Sequence, residues 1–245
     1  MSFSTPEGVG ALRRERLRTA RLYFVCDARP PGGDLEAMLR LALGGGVDIV
    51  QLREKELGRA EIERAASTYR RVADTFSALF IVNDDPDLAR ALDADGVHVG
   101  EVGEVAAARE LLGPAAIVGV STHSPEQIAA ADEAAVDYIA VGPIWETPTK
   151  PGRPAVGLDL ISHAAEHARH PFFAIGGIGP LNAEEVVRAG ARRLAVVRAI
   201  RDAPHPDVAA EALRRSFVGA EGGARNSQDA LLDSPAPWRG VAPGG

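Results

Sequence analysis

Eight short apolar runs, each followed by a stretch with helical spacing, constrain this chain more than any other feature. The runs are Leu22 to Cys26, Ile49 to Leu52, Leu79 to Val82, Gly96 to Val99, Ile117 to Val120, Tyr138 to Val141, Phe172 to Ile175 and Leu194 to Val197. Candidate helices follow them at Leu35 to Leu43, Arg59 to Phe76, Pro86 to Leu92, Glu104 to Leu112, Pro125 to Ala134, Leu158 to Ala168, Asn182 to Ala189 and Pro206 to Phe217. Continuous apolar runs suit strands buried on both faces, and strands separated by helices pair in parallel. Eight such units in 245 residues predict an α/β fold, a single (β/α)₈ barrel over residues 21–218, with flexible extensions at 1–20 and 219–245. An open doubly wound sheet is the runner-up. Asp27-Ala28-Arg29-Pro30 stands where its Gly-x-Gly-x-x-Gly turn would open the first helix. Asp85-Pro86 and Ser124-Pro125 each put a capping side chain before a proline at the first helical position, and Gln127 is placed to complete a capping box with Ser124.

Bulk charge narrows the function. A net charge of -7 argues against general nucleic-acid binding, which needs a basic face, so any cationic site must be local. The single cysteine, Cys26, allows no disulfide framework or cysteine metal cluster within one chain and fits a reducing cytoplasm. Arginines 13, 14, 16 and 18 are not followed by an apolar run of signal-peptide length, and no later segment approaches a membrane span. Residues up to about Thr19 read as a mobile arm or a short amphipathic helix. Beyond Phe217 the Gly, Pro, Ser and Ala content predicts a disordered tail.

Barrel active sites gather at the carboxyl ends of the strands, so the residues after each run carry the chemistry. Gln51-Leu52-Arg53-Glu54-Lys55 sets a guanidinium and an ammonium at one strand mouth, a pair suited to a multiply charged anion; the simpler reading is a solvated charge run. After the third run comes Asn83-Asp84-Asp85. Asp85 is explained as a helix cap, whereas Asp84 suits a Mg²⁺ that bridges to phosphate oxygens, or else an ion pair with Lys55 or Arg53. Gly176-Gly177 and the Val197-Arg198 turn lie where such barrels commonly hold a phosphate, although glycines also serve as plain turn residues. The loop from Gly142 to Gly157, with Thr147-Pro148-Thr149-Lys150, reads as a proline-stiffened lid carrying an anion clamp. His123 is a candidate base without a recognisable triad partner.

Taken in order, Gln51-Leu52-Arg53-Glu54-Lys55, Val82-Asn83-Asp84, Gly96-Val97-His98-Val99-Gly100, Gly119-Val120-Ser121-Thr122-His123, Val141-Gly142-Pro143-Ile144 with Thr147-Pro148-Thr149-Lys150, and Ala174-Ile175-Gly176-Gly177-Ile178 resemble the thiamine phosphate synthase family. The match runs from about Arg21 to Phe217. The resemblance implies a (β/α)₈ enzyme that joins 4-amino-2-methyl-5-hydroxymethylpyrimidine diphosphate to 4-methyl-5-hydroxyethylthiazole phosphate and releases diphosphate. By motif it puts the pyrimidine diphosphate on the Gln51 to Lys55 segment, Leu52 and Glu54 included, with Asn83, Ser121 and Lys150. It gives Arg53, Lys55 and Lys150 the catalytic role of neutralising the leaving group, and Asp84 the Mg²⁺ cofactor. Thr147, Pro148, Thr149, Gly177, Val197 and Arg198 would hold the thiazole phosphate. The partners implied are these small molecules, with neither nucleic acid nor membrane; a homo-oligomer is compatible with the sequence.

Two departures from the family pattern stand out. The family usually reads Gly-Gln-x-Asp after the fourth strand, its Asp being a second magnesium ligand; here Gly100-Glu101-Val102-Gly103-Glu104 leaves Glu101 or Glu104 as the substitute. Arg198 stands where many relatives have serine. A thiazole tautomerase, kept open by His123, and a non-catalytic barrel binding a thiamine-related phosphate are the alternatives.

Overall fold

A computed structural model describes residues 5–147, 152, 154–218, 228 and 231. Helix α1 (Pro6–Thr19) leads into β1 (Leu22–Cys26), α2 (Leu35–Gly44), β2 (Ile49–Leu52), α3 (Arg59–Phe76), β3 (Leu79–Asn83), α4 (Pro86–Ala91) and β4 (Gly96–Val99). A 3₁₀ turn (Val102–Glu104) opens the second half, followed by α5 (Val105–Leu112), β5 (Ile117–Thr122), α6 (Pro125–Asp132), β6 (Tyr138–Val141), α7 (Asp159–His167) and β7 (Phe172–Ile175). The chain continues through α8 (Ala183–Arg188), β8 (Leu194–Val196), the single turn α9 (Arg198–Arg201) and α10 (Pro206–Arg215). The strands pair in sequence order, all parallel, and β8 returns to β1 with Leu22 opposite Leu194, closing the barrel.

Alternation along each strand divides the core in two. Leu22, Phe24 and Cys26 of β1, Val50 and Leu52 of β2, and Val97 and Val99 of β4 pack outward among the helices. Tyr23, Val25, Ile49, Leu79, Ile81, Ile117, Tyr138 and Phe173 fill the barrel interior instead. Gly119 is required by this filling: a Cβ there would lie 2.0 Å from the Tyr138 ring.

The amino-terminal end of the barrel is closed by charge. Asp48, Asp95 and Asp137 each precede an even-numbered strand, and each Oδ2 accepts a backbone N–H from the strand before it: Leu22 at 2.9 Å, Phe80 at 2.8 Å and Val118 at 2.8 Å. Arginines complete each carboxylate. Arg214 reaches Asp48 at 2.8 Å; Arg13 and Arg70 reach Asp95; Arg14 and Arg109 reach Asp137. Of the two readings of the N-terminus, a mobile arm or a helix, the structure has the helix for Pro6–Thr19, because Arg13 and Arg14 fasten it to these aspartates.

Helix starts follow the sequence with one correction. Asp85 accepts from Leu88 N and Ser124 from Gln127 N, as caps. Gln127 Oε1, expected to return a bond to Ser124 N, instead accepts from His123 N at 2.6 Å, one residue earlier. Most of the Gly- and Pro-rich tail lies outside the described residues, but Gln228 within it is fully buried. Among the described residues no helix is long and apolar enough to cross a membrane.

Candidate active site

At the carboxyl ends of the strands the barrel opens into a cavity of about 460 Å³. Its floor is a buried polar chain supplied by the inward positions of five strands. Gln51 Nε2 donates to the Tyr23 hydroxyl at 2.7 Å, Tyr23 and Tyr138 share a hydrogen bond of 2.9 Å, and His98 links Tyr138 (Nδ1, 3.0 Å) to Ser121 Oγ (Nε2, 3.0 Å). One donor sequence satisfies every step: Gln51 to Tyr23, Tyr23 to Tyr138, Tyr138 to His98 Nδ1, and His98 Nε2–H to Ser121. Burial, before any other influence, raises both phenols above their usual range, so they stay protonated and act as fixed hydrogen-bonding groups. Such a chain places directional donors and acceptors at the cavity floor.

Around this floor the expected site residues take distinct places. Gln51, Arg53, Asn83, Ser121 and His123, from strands β2, β3 and β5 and the residues just after them, line the cavity. Thr147, Gly177, Val197 and Arg198, which follow β6, β7 and β8, line it as well. Arg53 is held by its own N–H, which donates to Cys26 O at 2.9 Å and extends the β1–β2 pairing by one residue. His123 Nδ1 is in hydrogen-bonding contact with Gly142 O, which ties the loop after β5 to the loop after β6.

Other members of the expected set are occupied differently. Leu52 faces the helices, buried in the outer core, because β2 alternation turns Gln51 inward and its neighbour outward. Glu54 serves the backbone: Oε1 accepts from Lys55 N and Glu56 N, and Oε2 from Ala28 N. Burial alone would raise its carboxyl, but the N–H groups of Glu56, Ala28, Lys55 and Leu57 together hold it below the usual carboxylate value. It therefore shapes the loop that presents Arg53 and Lys55. Pro148, Thr149 and Lys150 lie outside the described residues.

Asp84 has the left-handed conformation, φ 63°, a region disfavoured for residues other than glycine and tolerated by Asp and Asn. Its N–H donates to His98 O at 2.8 Å, which pins the strained residue to the end of β4. Its carboxylate is about half exposed and stands 3.8 Å from Lys55 Nζ. Glu101 and Glu104 are engaged with each other's backbone in a capping box around the 3₁₀ turn, Glu104 Oε2 accepting from Glu101 N at 2.9 Å. Among the described residues no group of three or more His, Cys, Asp or Glu side chains is arranged as a metal cage.

The glycine dyad is explained first by packing. Gly176 and Gly177 have φ 108° and 71°, and a Cβ on Gly176 would meet Pro143 Cα at 2.4 Å, one on Gly177 Trp145 Cβ at 2.9 Å. The two residues let the loops after β6 and β7 interlock, and in doing so keep the backbone of Gly177 open to the cavity. The single turn α9, beginning at Arg198, was not expected from the sequence; an extra short helix after the eighth strand is a recurrent part of phosphate sites in this architecture.

Fold and cavity together define a (β/α)₈ protein whose open mouth carries Arg53 and Arg198 above a floor of hydrogen-bonded polar side chains. Comparison with known proteins narrows that class. Residues 22–200 match the family of thiamine monophosphate synthase. The chain is 50% identical over 210 residues to the thiamine-phosphate synthase of Thermobifida fusca, covering 84% of this chain and 96% of that one, and 50% identical over 210 residues to that of Saccharopolyspora erythraea, covering 82% and 94%. A solved structure described as thiamine phosphate pyrophosphorylase, from Pyrococcus furiosus, superposes with a TM-score of 0.74 at 32% identity, covering 84% of this chain and 100% of that one. The chain belongs to the thiamine monophosphate synthase family, transferases of thiamine biosynthesis.

Three residues of the floor, Tyr23, His98 and Tyr138, were not singled out from the sequence as site residues. The signal was present, since each is a polar or amphipathic residue at an inward position of an otherwise apolar strand.

Proposed function

We propose that this chain makes thiamine phosphate from 4-amino-2-methyl-5-hydroxymethylpyrimidine diphosphate and 4-methyl-5-hydroxyethylthiazole phosphate, in the cytoplasm. The observation that carries the reading is the convergence of Gln51, Arg53, Asn83 and Ser121 with Thr147, Gly177 and Arg198 on one cavity. Two anionic substrates fit such a mouth better than one. The pyrimidine would lie on the floor, its diphosphate toward Arg53, Lys55 and the segment containing Lys150; the thiazole phosphate would sit against Thr147, Thr149, Gly177 and the Val197-Arg198 turn.

In this reading the bond between the pyrimidine methylene carbon and the diphosphate oxygen breaks with both electrons leaving on oxygen. The thiazole nitrogen then supplies its lone pair to that carbon. Arg53 and Lys55 stabilise the charge that gathers on the departing diphosphate, and the cavity walls hold nitrogen and carbon in reach. No proton transfer is needed at the reacting carbon, so the floor need only hold the ring by hydrogen bonds.

A magnesium ion fits Asp84: its carboxylate is half exposed just past the carboxyl end of β3, beside Lys55 and next to cavity-lining Asn83, and Mg²⁺ commonly takes only one or two protein carboxylates, completing its shell with water and substrate oxygens. When bound there, Mg²⁺ would supply further charge neutralisation to the diphosphate. Engagement of Glu101 and Glu104 in the capping box favours Asp84 as the main protein ligand. Supplying both substrates with Mg²⁺ and following thiamine phosphate and diphosphate tests the whole reading. Equal amounts of the two products are expected; neither product at any magnesium concentration would remove it.

A further inference from the structure

The amino-terminal end of the barrel repeats one device three times and changes it at the fourth. Asp48, Asp95 and Asp137 stand immediately before β2, β4 and β6, and their carboxylates accept the N–H of Leu22, Phe80 and Val118 near the starts of β1, β3 and β5. Before β8 the corresponding residue is Arg193, fully buried, which has no acceptor to offer the start of β7. The N–H of Phe172 nevertheless has one. Gln228 Oε1 accepts from Phe172 N at 3.1 Å and from Arg193 Nη1 at 3.1 Å, and Gln228 Nε2 donates to His170 O at 3.2 Å. Arg193 Nη2 also donates to Arg18 O at 3.2 Å, so the guanidinium joins the end of α1 to the same place.

We propose that this end of the barrel carries a carboxamide-binding site, formed by Phe172 N–H, the Arg193 guanidinium and His170 C=O, whose partner is Gln228 of the chain's own C-terminal segment. A primary amide suits it because the site offers two donors to one oxygen and an acceptor to one nitrogen; a carboxylate in place of the Gln228 amide would set an acceptor oxygen, with no proton to donate, against the His170 carbonyl. Reversal of charge at position 193 fits the arrangement: an arginine there cannot accept the Phe172 N–H, whereas Gln228 accepts both from that N–H and from the guanidinium. Val218 and Gln228 are ten residues apart in the same chain, a separation that spans at most about 33 to 36 Å. The three-aspartate pattern gives the site its role, since β7 gains from the tail the closure that β1, β3 and β5 gain from within the barrel. This inference is independent of the proposed reaction.

Amide hydrogen exchange on the full-length protein tests it, with Val118 as the internal reference. In the parent chain Phe172 N–H should be protected to a degree comparable with Val118. Gln228→Ala should speed exchange at Phe172 by roughly tenfold or more and leave Val118 unchanged, the loss expected for one buried hydrogen bond. The double variant Arg193→Asp with Gln228→Ala should restore protection at Phe172, because an aspartate at 193 would reach that N–H as its three counterparts do. A parent Phe172 amide that exchanges like an exposed group, or an unchanged rate in Gln228→Ala, would overturn the proposal. A shift from dimer to monomer in sedimentation on Gln228→Ala would overturn the assignment to the same chain by placing the glutamine of a second copy there.

Discussion

The two ends of this barrel use charge in opposite ways. At the amino-terminal end Asp95 and Asp137 are almost wholly buried, with 7% and 1% of their side chains exposed, and each is surrounded by two arginines and a backbone N–H at 2.6 to 2.9 Å. At the carboxyl end Lys55 and Asp84 are more than half exposed and 3.8 Å apart. Buried, fully bonded charges fix a fold and have little capacity left for a ligand; exposed, loosely paired charges contribute little to stability and remain available. The comparison separates stability from chemistry by position along the barrel axis, and it can be broken by substitutions that move the wrong property.

The largest effect is expected at the closed end. Asp137→Ala leaves Arg14 and Arg109 without their shared carboxylate and removes the acceptor of Val118 N–H. A loss of about 3 to 5 kcal/mol follows for a buried pair broken from one side. Thermal unfolding should fall by roughly 10 °C, while kcat measured well below the new midpoint stays near the parent value. A stable variant with lost turnover would contradict the separation.

At the open end Arg53→Ala should do the reverse. Removal of one preorganised charge donor costs on the order of 10²- to 10³-fold in kcat, and the melting temperature should hardly move. Measuring kcat and melting temperature on the same preparation decides it, since a fall in both would make Arg53 part of the structure. Next in size is Asp85→Ala, which removes the cap of α4 and should lower stability by about 1 kcal/mol without a change in magnesium dependence. A changed magnesium requirement in that variant would mean that Asp85, and not Asp84 alone, attends the ion.

These contrasts were only partly visible in the sequence. Strand positions were legible because apolar runs and β-branched residues report burial directly, and the helix starts at Pro86 and Pro125 were legible through proline chemistry. Arg53, Asn83 and Ser121 were legible as residues at strand ends. Leu52 and Glu54 belong to the same expected segment, and there alternation turns one side chain outward while backbone donors occupy the other. Tyr23, His98 and Tyr138 are polar or amphipathic members of otherwise apolar runs, and only the two-residue period marks them as inward-facing. The aspartates of the closed end precede strands 2, 4 and 6 in plain view, yet their partners, Arg13, Arg14, Arg70, Arg109 and Arg214, come from distant points of the chain. No local pattern announces a contact made over 123 residues, as Arg14 makes with Asp137.

The smallest effect concerns acid sensitivity at the closed end. His170, buried beside β7, has its pKa lowered from the usual 6.5, chiefly by burial, with Asp132 at 3.9 Å opposing the shift. A histidine whose folded pKa is depressed binds its proton more readily when unfolded, so above pH 6.5 it costs the fold nothing, and as pH falls below 6.5 toward the folded value stability declines. The groups facing it act in both directions, Asp132 and Asp137 favouring the proton and Arg169 opposing it. His170→Asn should therefore flatten the pH dependence of stability just below pH 6.5, measured as the denaturant midpoint at closely spaced pH values. It should leave the dependence above pH 7 unchanged. An equal slope in parent and variant would show that burial of this imidazole is relieved on protonation, and that the closed end is less rigid than its aspartates imply.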